Sequence, residues 1–256
     1  MKCITVTNQK GGVGKTTTAV NLTACLAEAG QRVLLIDLDP QGNSSSGLNV
    51  KAGKNSIYEV MVGKMPLEKA VVKTKVPGLS VCPADIRLAG AEVELVGVEK
   101  REYRLKTAVE SVASDYDFVF VDCPPSLGLL TLNGLCAAKT VLVPIQCEYY
   151  ALEGVTALVD TINRVKRSLN PTLDFEGILL TMMDGRTNLS LQVVNEVKRA
   201  FKKKVFATTI PRNVRLGEAP SHGEPIHVYD PRSTGALAYR ALAAEVLERN
   251  GMKARK

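Results

Sequence analysis

No uninterrupted apolar stretch in the 256 residues approaches the roughly 18 to 20 needed to cross a bilayer. Met1 to Asn8 also lacks the charged start, apolar middle and cleavage site of a secretory signal. The six cysteines stand at 3, 25, 82, 123, 136 and 147, and no two have the Cys-x-x-Cys spacing of a metal clamp or redox couple. They read instead as small buried hydrophobes. Only two histidines occur, His222 and His227, and a separation of five does not favour a shared helical metal face. His222 is expected in a structured loop with no chemistry. There is no internal repeat, low-complexity tract or linker long enough to divide the chain, so one domain over residues 1–256 is expected, with a short basic tail at 251–256. With 45% hydrophobic and 23% charged residues, these absences leave a soluble intracellular protein as the expectation.

Short β-branched apolar runs alternate with longer helical patterns. Cys3 to Thr7, Val33 to Asp37, Leu79 to Cys82, Phe118 to Asp122, Thr140 to Ile145 and Gly177 to Thr181 read as strands, and the lengths between them suit crossover helices. Thr16 to Ala29 has good helix formers and stops at Gly30, the residue type favoured just past a helix end. Parallel strands covered on both faces should be continuously apolar, as Phe118-Val119-Phe120-Val121 is. The expected fold class is α/β: a doubly wound, mostly parallel sheet with helices on both faces. Lys51 to Lys54 and Lys73 to Gly78 read as surface loops.

The first strand runs into Asn8-Gln9-Lys10-Gly11-Gly12-Val13-Gly14-Lys15-Thr16-Thr17, which opens directly into the first helix. Glycines let the backbone wrap around phosphate oxygens, so that successive N–H groups and the positive end of the helix face the anion. In such a loop Lys15 reaches the β- and γ-phosphates of ATP, and the Thr16 hydroxyl holds Mg²⁺. Against the pattern Gly-x-x-x-x-Gly-Lys-[Ser/Thr] the run departs once, because Gln9 takes the first glycine position. Next to it stands an additional lysine, Lys10.

Two strands end in acids, Asp37-Leu38-Asp39-Pro40-Gln41-Gly42 and Asp122-Cys123-Pro124-Pro125. Ligands of open α/β sheets bind at this edge, which places three carboxylates beside the phosphate loop. Asp122 fits a carboxylate holding Mg²⁺ through water, and Asp37 a similar role, leaving Asp39 free to orient an attacking water.

Lys10-Gly-Gly-Val-Gly-Lys15-Thr, Asp37-x-Asp39-Pro-Gln-Gly-Asn and Val121-Asp122-Cys-Pro-Pro together resemble the deviant Walker A ATPases, and more narrowly the ParA/Soj partitioning proteins. The likeness continues through Thr181-Met-Met-Asp-Gly-Arg186-Thr-Asn, Ile210-Pro211-Arg212-Asn213 and Glu218-Ala-Pro-Ser-His222-Gly to Tyr229-Asp-Pro-Arg232, nearly the whole chain. The resemblance implies a Mg²⁺-dependent ATPase whose ATP-sandwich homodimer binds double-stranded DNA nonspecifically and is released by hydrolysis, stimulated by a ParB-like centromere-binding protein. It implies a cytoplasmic, nucleoid-associated location. Gly11, Gly12, Val13, Gly14, Lys15, Thr16 and Thr17 match its phosphate-binding positions, and Lys10 matches the signature lysine that crosses to the partner's phosphates. Asp39 matches its water-orienting acid, Pro211 and Asn213 its adenine contacts, and Arg186 and Arg215 arginines of its DNA surface. A Pro-x-Asn turn also arises for local reasons.

The formal charge of +7 is concentrated. From Arg186 to Arg215 there are eight basic residues and one acid, Glu196, so this segment carries the whole excess. Such a patch attaches to phosphate backbone rather than reading bases. Lys202 to Lys204 read equally as part of that patch or as a favourable helix end. A MinD-like membrane-associated ATPase is the alternative, but needs a C-terminal amphipathic anchor. Residues 251–256 offer almost no apolar surface, and Leu237, Leu242, Val246 and Leu247 are explained more simply by docking of a last helix on the core. An iron–sulfur ATPase would need bridging cysteines, and neither Cys123 nor Cys136 has that context.

Overall fold

A computed structural model of the chain describes residues 1–148 and 151–255, with the side chains of 151–156 outside the description; Lys256 of the expected tail lies outside it too. Eight strands form one sheet: β1 (Lys2–Val6), β2 (Val33–Asp37), β3 (Val72–Lys73), β4 (Leu79–Cys82), β5 (Phe118–Asp122), β6 (Thr140–Gln146), β7 (Asp174–Met183) and β8 (Val205–Pro211). Their order is β3-β4-β2-β5-β1-β6-β7-β8, and every pairing is parallel except β3 with β4.

The six expected strands are present, and β1, β2 and β5 are apolar because both faces are covered. On one face the helix Lys15–Glu28 and the last helix, Thr234–Arg249, enclose Ile4, Leu35, Phe118 and Phe120. On the other, Leu34, Ile36, Val119 and Val121 pack among side chains of the helices Leu129–Ala137 and Ala151–Ser168. Full burial of a Phe118-sized side chain contributes about 1.5–3 kcal/mol, which fixes the sheet between its layers.

Two strands escaped the sequence pattern, both at edges. β3 is two residues long and exposed, so it lacks a buried face and occupies the start of the expected loop at Lys73. β8 follows Lys202–Lys204, mixes buried and part-exposed positions without a regular alternation and ends in a proline, which an edge position tolerates. The first helix begins at Lys15, ends at Glu28 and is followed by Gly30 with φ 81°, within a residue of expectation.

In the last helix Leu242, Val246 and Leu247 are buried, so that stripe is used in docking to the core, while Leu237 is exposed. The tail is also docked. Arg255 N–H donates to the Ala29 carbonyl at 2.9 Å, and its guanidinium meets Asp117 at 2.8 Å alongside Arg32. These cations hold the Asp117 carboxyl at about 2, against the opposing effect of its burial. Among the described residues no helix is long and apolar enough to cross a membrane.

Candidate nucleotide site

Parallel pairing aligns the strand ends that carry the acids. Val6, the last residue of β1, pairs with Asp122, and Asp37 pairs with the same Asp122 from the other side. The loop between Val6 and Lys15 therefore rises directly over both carboxylates. Gly12 and Gly14 have φ of 74° and 87°, a left-handed conformation that a side chain would strain, and Gly14 is the N-cap of the first helix. Two residues that the motif did not flag fasten this loop. Asn8 Nδ2 donates to the Pro144 carbonyl at 2.7 Å while its Oδ1 accepts from Lys10 N–H, and Thr181 Oγ1 donates to the Val13 carbonyl at 2.9 Å.

Lys15 is buried, and its ammonium donates to the Lys10 carbonyl at 3.0 Å. Burial lowers its pKa, and the Asp122 and Asp39 carboxylates pull it back upward. Lys10 points the other way, its ammonium 3.5 Å from Glu148 Oε2, with both side chains near half exposure. Gln146 also donates to Glu148.

The three acids differ in how they are satisfied. Asp37 is filled: its Oδ2 accepts from Ser45 N–H at 2.8 Å and Ser45 Oγ at 2.6 Å, and its Oδ1 from Asp39 N–H at 3.3 Å. Burial still pushes it up to about 6. Asp122 accepts from Ser44 Oγ at 2.7 Å through Oδ2, but its fully buried Oδ1 has no partner. Burial, followed by the neighbouring Asp37 charge, pushes it up to about 7 against the hydroxyls of Ser44 and Thr16. An unpaired buried oxygen beside a hydroxyl and a phosphate loop fits a divalent cation, whose charge would lower that pKa. Among the described residues no cluster of three or more His, Cys, Asp and Glu could hold a metal alone. A Mg²⁺ ion held here by Thr16 and Asp122 would need phosphate and water oxygens to complete its shell. Asp39 is nearly buried; its Oδ1 accepts from Gln41 N–H at 2.9 Å, and its Oδ2 accepts nothing from the described residues.

Two cavities meet at Gly14, Thr17 and Met182. One, of about 330 Å³, is open and holds Gly11, Gly12, Lys15, Thr16, Asp39 and Pro125 in its wall. The other, of about 220 Å³ and mostly apolar, is walled by Ile210, Pro211, Asn213, Leu216 and Tyr239. A triphosphate and an attached base fit this succession of polar and apolar space. Met182 is one of the few non-glycine residues at positive φ, 52°, where β7 and β8 slip register; strain of this kind concentrates at ligand sites. Asn213 caps the short helix Val214–Glu218 through Leu216 N–H and donates to Thr234 Oγ1 at 2.7 Å, so the local reason for its turn is present as well.

Arg186 and Arg215 lie outside both cavities. Arg186 is highly exposed but grips both oxygens of Asp184, at 2.9 and 2.8 Å, and Arg215 pairs with Glu218 at 2.8 Å. Lys202 to Lys204 form a short turn closing the helix Asn188–Phe201, with the Lys204 ammonium 4.4 Å from the Phe175 ring centroid. His222 stacks on Tyr229 at 4.8 Å. All six cysteines are buried and free, and burial pushes the Cys3 and Cys25 thiols up to about 12.

Residues 1–175 match a family described as AAA domain. The chain is 56% identical to the sporulation initiation inhibitor protein Soj of Bacillus subtilis, over 96% of this chain and 98% of that protein. It is 53% identical to the chromosome partitioning protein ParA of Myxococcus xanthus, over 98% and 90% respectively. Among solved structures, a cobyrinic acid a,c-diamide synthase of Mycobacterium smegmatis with bound ATP analog and magnesium aligns over the full length of both chains, with a TM-score of 0.86 and 40% identity. The septum site-determining protein MinD of Pyrococcus horikoshii, complexed with Mg-ADP, shares the fold, with a TM-score of 0.81 and 24% identity.

Proposed function

The chain belongs to the ParA/Soj family of chromosome-partitioning ATPases, and from that premise we propose that it is a single ATPase domain that dimerises around ATP, coats DNA without regard to sequence and is released by hydrolysis. The observation that carries this reading is the open phosphate cavity joined to an apolar base pocket, with a second lysine, Lys10, outside it. The proposed location is cytoplasmic and nucleoid-associated.

In this reading Lys15 exchanges the Lys10 carbonyl for the β- and γ-phosphates, and the loop N–H groups hold the remaining oxygens. Thr16 and Asp122 would hold Mg²⁺, with Asp37 acting behind them by fixing Ser45 and the Asp39 backbone. When bound, the metal neutralises charge developing on the phosphates. Pro211 and Asn213 border the adenine. Asp39 Oδ2 orients the attacking water in line with the γ-phosphate. Lys10 leaves Glu148 and reaches the partner's triphosphate, so the dimer is stabilised by ATP and loosened by its loss. The Glu148 contact is half exposed and worth no more than about 1 kcal/mol, a small barrier to that exchange.

Two chains clamped in this way present two basic surfaces to one duplex, which raises the effective concentration for the second contact. Arg186 and Arg215 carry part of that attachment after exchanging exposed carboxylates for DNA phosphates. Reversal of both to Glu is expected to weaken binding to unrelated duplexes alike, by tenfold or more, and to flatten the salt dependence. Nucleotide-dependent dimerisation survives, because neither residue touches the loop. A salt series on several duplexes, with sedimentation in parallel, checks this; unimpaired DNA binding would move the surface elsewhere. The activity as a whole is tested by ATP turnover with and without DNA and a ParB-like protein, whose basic segment is the expected stimulant. A rate indifferent to both would remove the partitioning cycle.

A further inference from the structure

The two arginines at the ends of the basic segment start from neighbouring strand ends. Met183 of β7 pairs with Pro211 of β8, and Arg186 and Arg215 follow these positions by three and four residues. Acids stand just outside the segment at both ends, Asp184 and Glu218, and each takes the nearer arginine. Arg186 lays Nε and Nη2 on the two oxygens of Asp184, at 2.9 and 2.8 Å. Arg215 Nη1 donates to Glu218 Oε2 at 2.8 Å, with Asp230 Oδ2 3.6 Å from its Nε. Among the described residues Lys198, Arg199, Lys202, Lys203 and Arg212 of the same segment make no ion pair, so the pairing is particular to its two ends.

These contacts occupy the groups that a phosphate would use. A guanidinium grips phosphate through the same fork of two N–H donors that Arg186 gives to Asp184, so the two anions exclude each other. The hydrogen bonds from Arg186 hold the Asp184 carboxyl at about 2, so this competitor keeps its charge throughout the neutral range. Both acids also retain a donor when the guanidinium departs. Asp184 Oδ1 accepts from Arg186 N–H at 3.1 Å, and Glu218 Oε2 from the Tyr229 hydroxyl at 3.2 Å. Neither carboxylate is stranded by the exchange, which makes it easily reversed. We propose that Asp184 and Glu218 are competitors for DNA phosphate built into the basic surface, holding Arg186 and Arg215 in the free chain and so keeping a single chain off the duplex.

This rests on the reading of an ATP-linked pair of chains on DNA and adds what restrains one chain from binding alone. Each phosphate contact must first displace an acid, so a single surface attaches weakly. Two linked surfaces recover the loss through the high effective concentration of the second contact. At a given salt the acids can then hold one chain below the level at which it is retained while the linked pair stays above it. Exposed ion pairs are individually weak, so the restraint is a severalfold effect rather than a block.

The test is fluorescence anisotropy of a labelled duplex with the full chain, in ADP and in a nonhydrolysable ATP analogue with Mg²⁺. It compares the parent with Asp184→Asn/Glu218→Gln and repeats the comparison in an Arg186→Ala/Arg215→Ala background. The amides keep the size of the acids, and the melting temperature should stay at the parental value. The expected result is an ADP form of the amide pair that binds DNA about fivefold or more tighter than the parent, while sedimentation shows it still a single chain. That gain should vanish in the arginine-free background, because the acids act only through the arginines. A gain below twofold overturns the proposal. So does an equal gain without the arginines, which would make it a general effect of lost negative charge. If the arginine-free chain binds DNA as the parent does in the analogue, the DNA surface underneath is elsewhere, and the proposal falls with it.

Discussion

Lys15→Ala is expected to lose ATP binding by a hundredfold or more. Its ammonium is, among the described residues, the buried cation at the end of the loop, already desolvated and held 3.0 Å from the Lys10 carbonyl, so little ordering remains when it turns to a triphosphate. Two charge-assisted hydrogen bonds, at about 1.5–3 kcal/mol each, account for the loss. The substitution has a second effect in the same direction. Lys15 is a buried positive charge next to the Asp122 and Asp39 carboxyls, which favour its charged form, and without it no buried cation in the loop offsets the charge of the incoming phosphates. Calorimetry with ATP and Mg²⁺ measures this directly, and a near-parental affinity would show that the loop amides alone hold the nucleotide.

Asp39→Ala should leave binding close to parental and reduce turnover by about a hundredfold or more, the range of a positioned acid–base group. In the proposed complex the phosphates are held by the loop amides and Lys15, with Thr16 on the metal, and among the described residues none of these hydrogen-bonds to Asp39. What the substitution removes is Oδ2, the one carboxylate oxygen of Asp39 that accepts nothing from the described residues, together with the turn contact from Gln41. Slow hydrolysis with intact binding traps the ATP-bound state, so the dimer should persist and DNA retention should lengthen. Turnover at the parental rate under stimulation would reduce Asp39 to a turn-forming residue. Asp39→Asn separates the two roles, because an amide keeps the acceptor for Gln41 and loses the charge.

The phosphate loop was legible because its function needs a particular backbone path over consecutive residues, and glycine spacing records such a path. The strand-terminal acids were legible for a related reason: a parallel sheet collects its strand ends at one edge. What fastens the loop was not legible. Asn8 and Thr181 act on the carbonyls of Pro144 and Val13, and Ser44 and Ser45 on acids 78 and eight residues away. These are tertiary pairings with no spacing to read. Nor does a charge count show that Arg186 and Arg215 already hold carboxylates, although Asp184 and Glu218 stand two and three residues from them. The edge strands were missed because periodicity reports buried faces, and β3 has none.

In the proposed ATP complex the two ends of the nucleotide rest on parts of the sheet with unequal resistance to opening. There the phosphates would lie over the end of β1, which is bonded on one side to β5 and on the other to β6, whereas the apolar cavity proposed for the base is walled by the end of β8, bonded only to β7. Local unfolding starts where a strand has one neighbour, so amides of β8 should exchange with deuterium well before those of β1 in the free chain. A nucleotide spanning both cavities removes that difference, because β8 can no longer peel away without releasing the base. At a hundredfold excess over its dissociation constant this linkage is worth about 2.7 kcal/mol, so exchange in β8 should slow by about a hundredfold. Departure of the nucleotide then has a preferred direction, with the base freed by a fraying edge while the triphosphate remains anchored to the middle of the sheet.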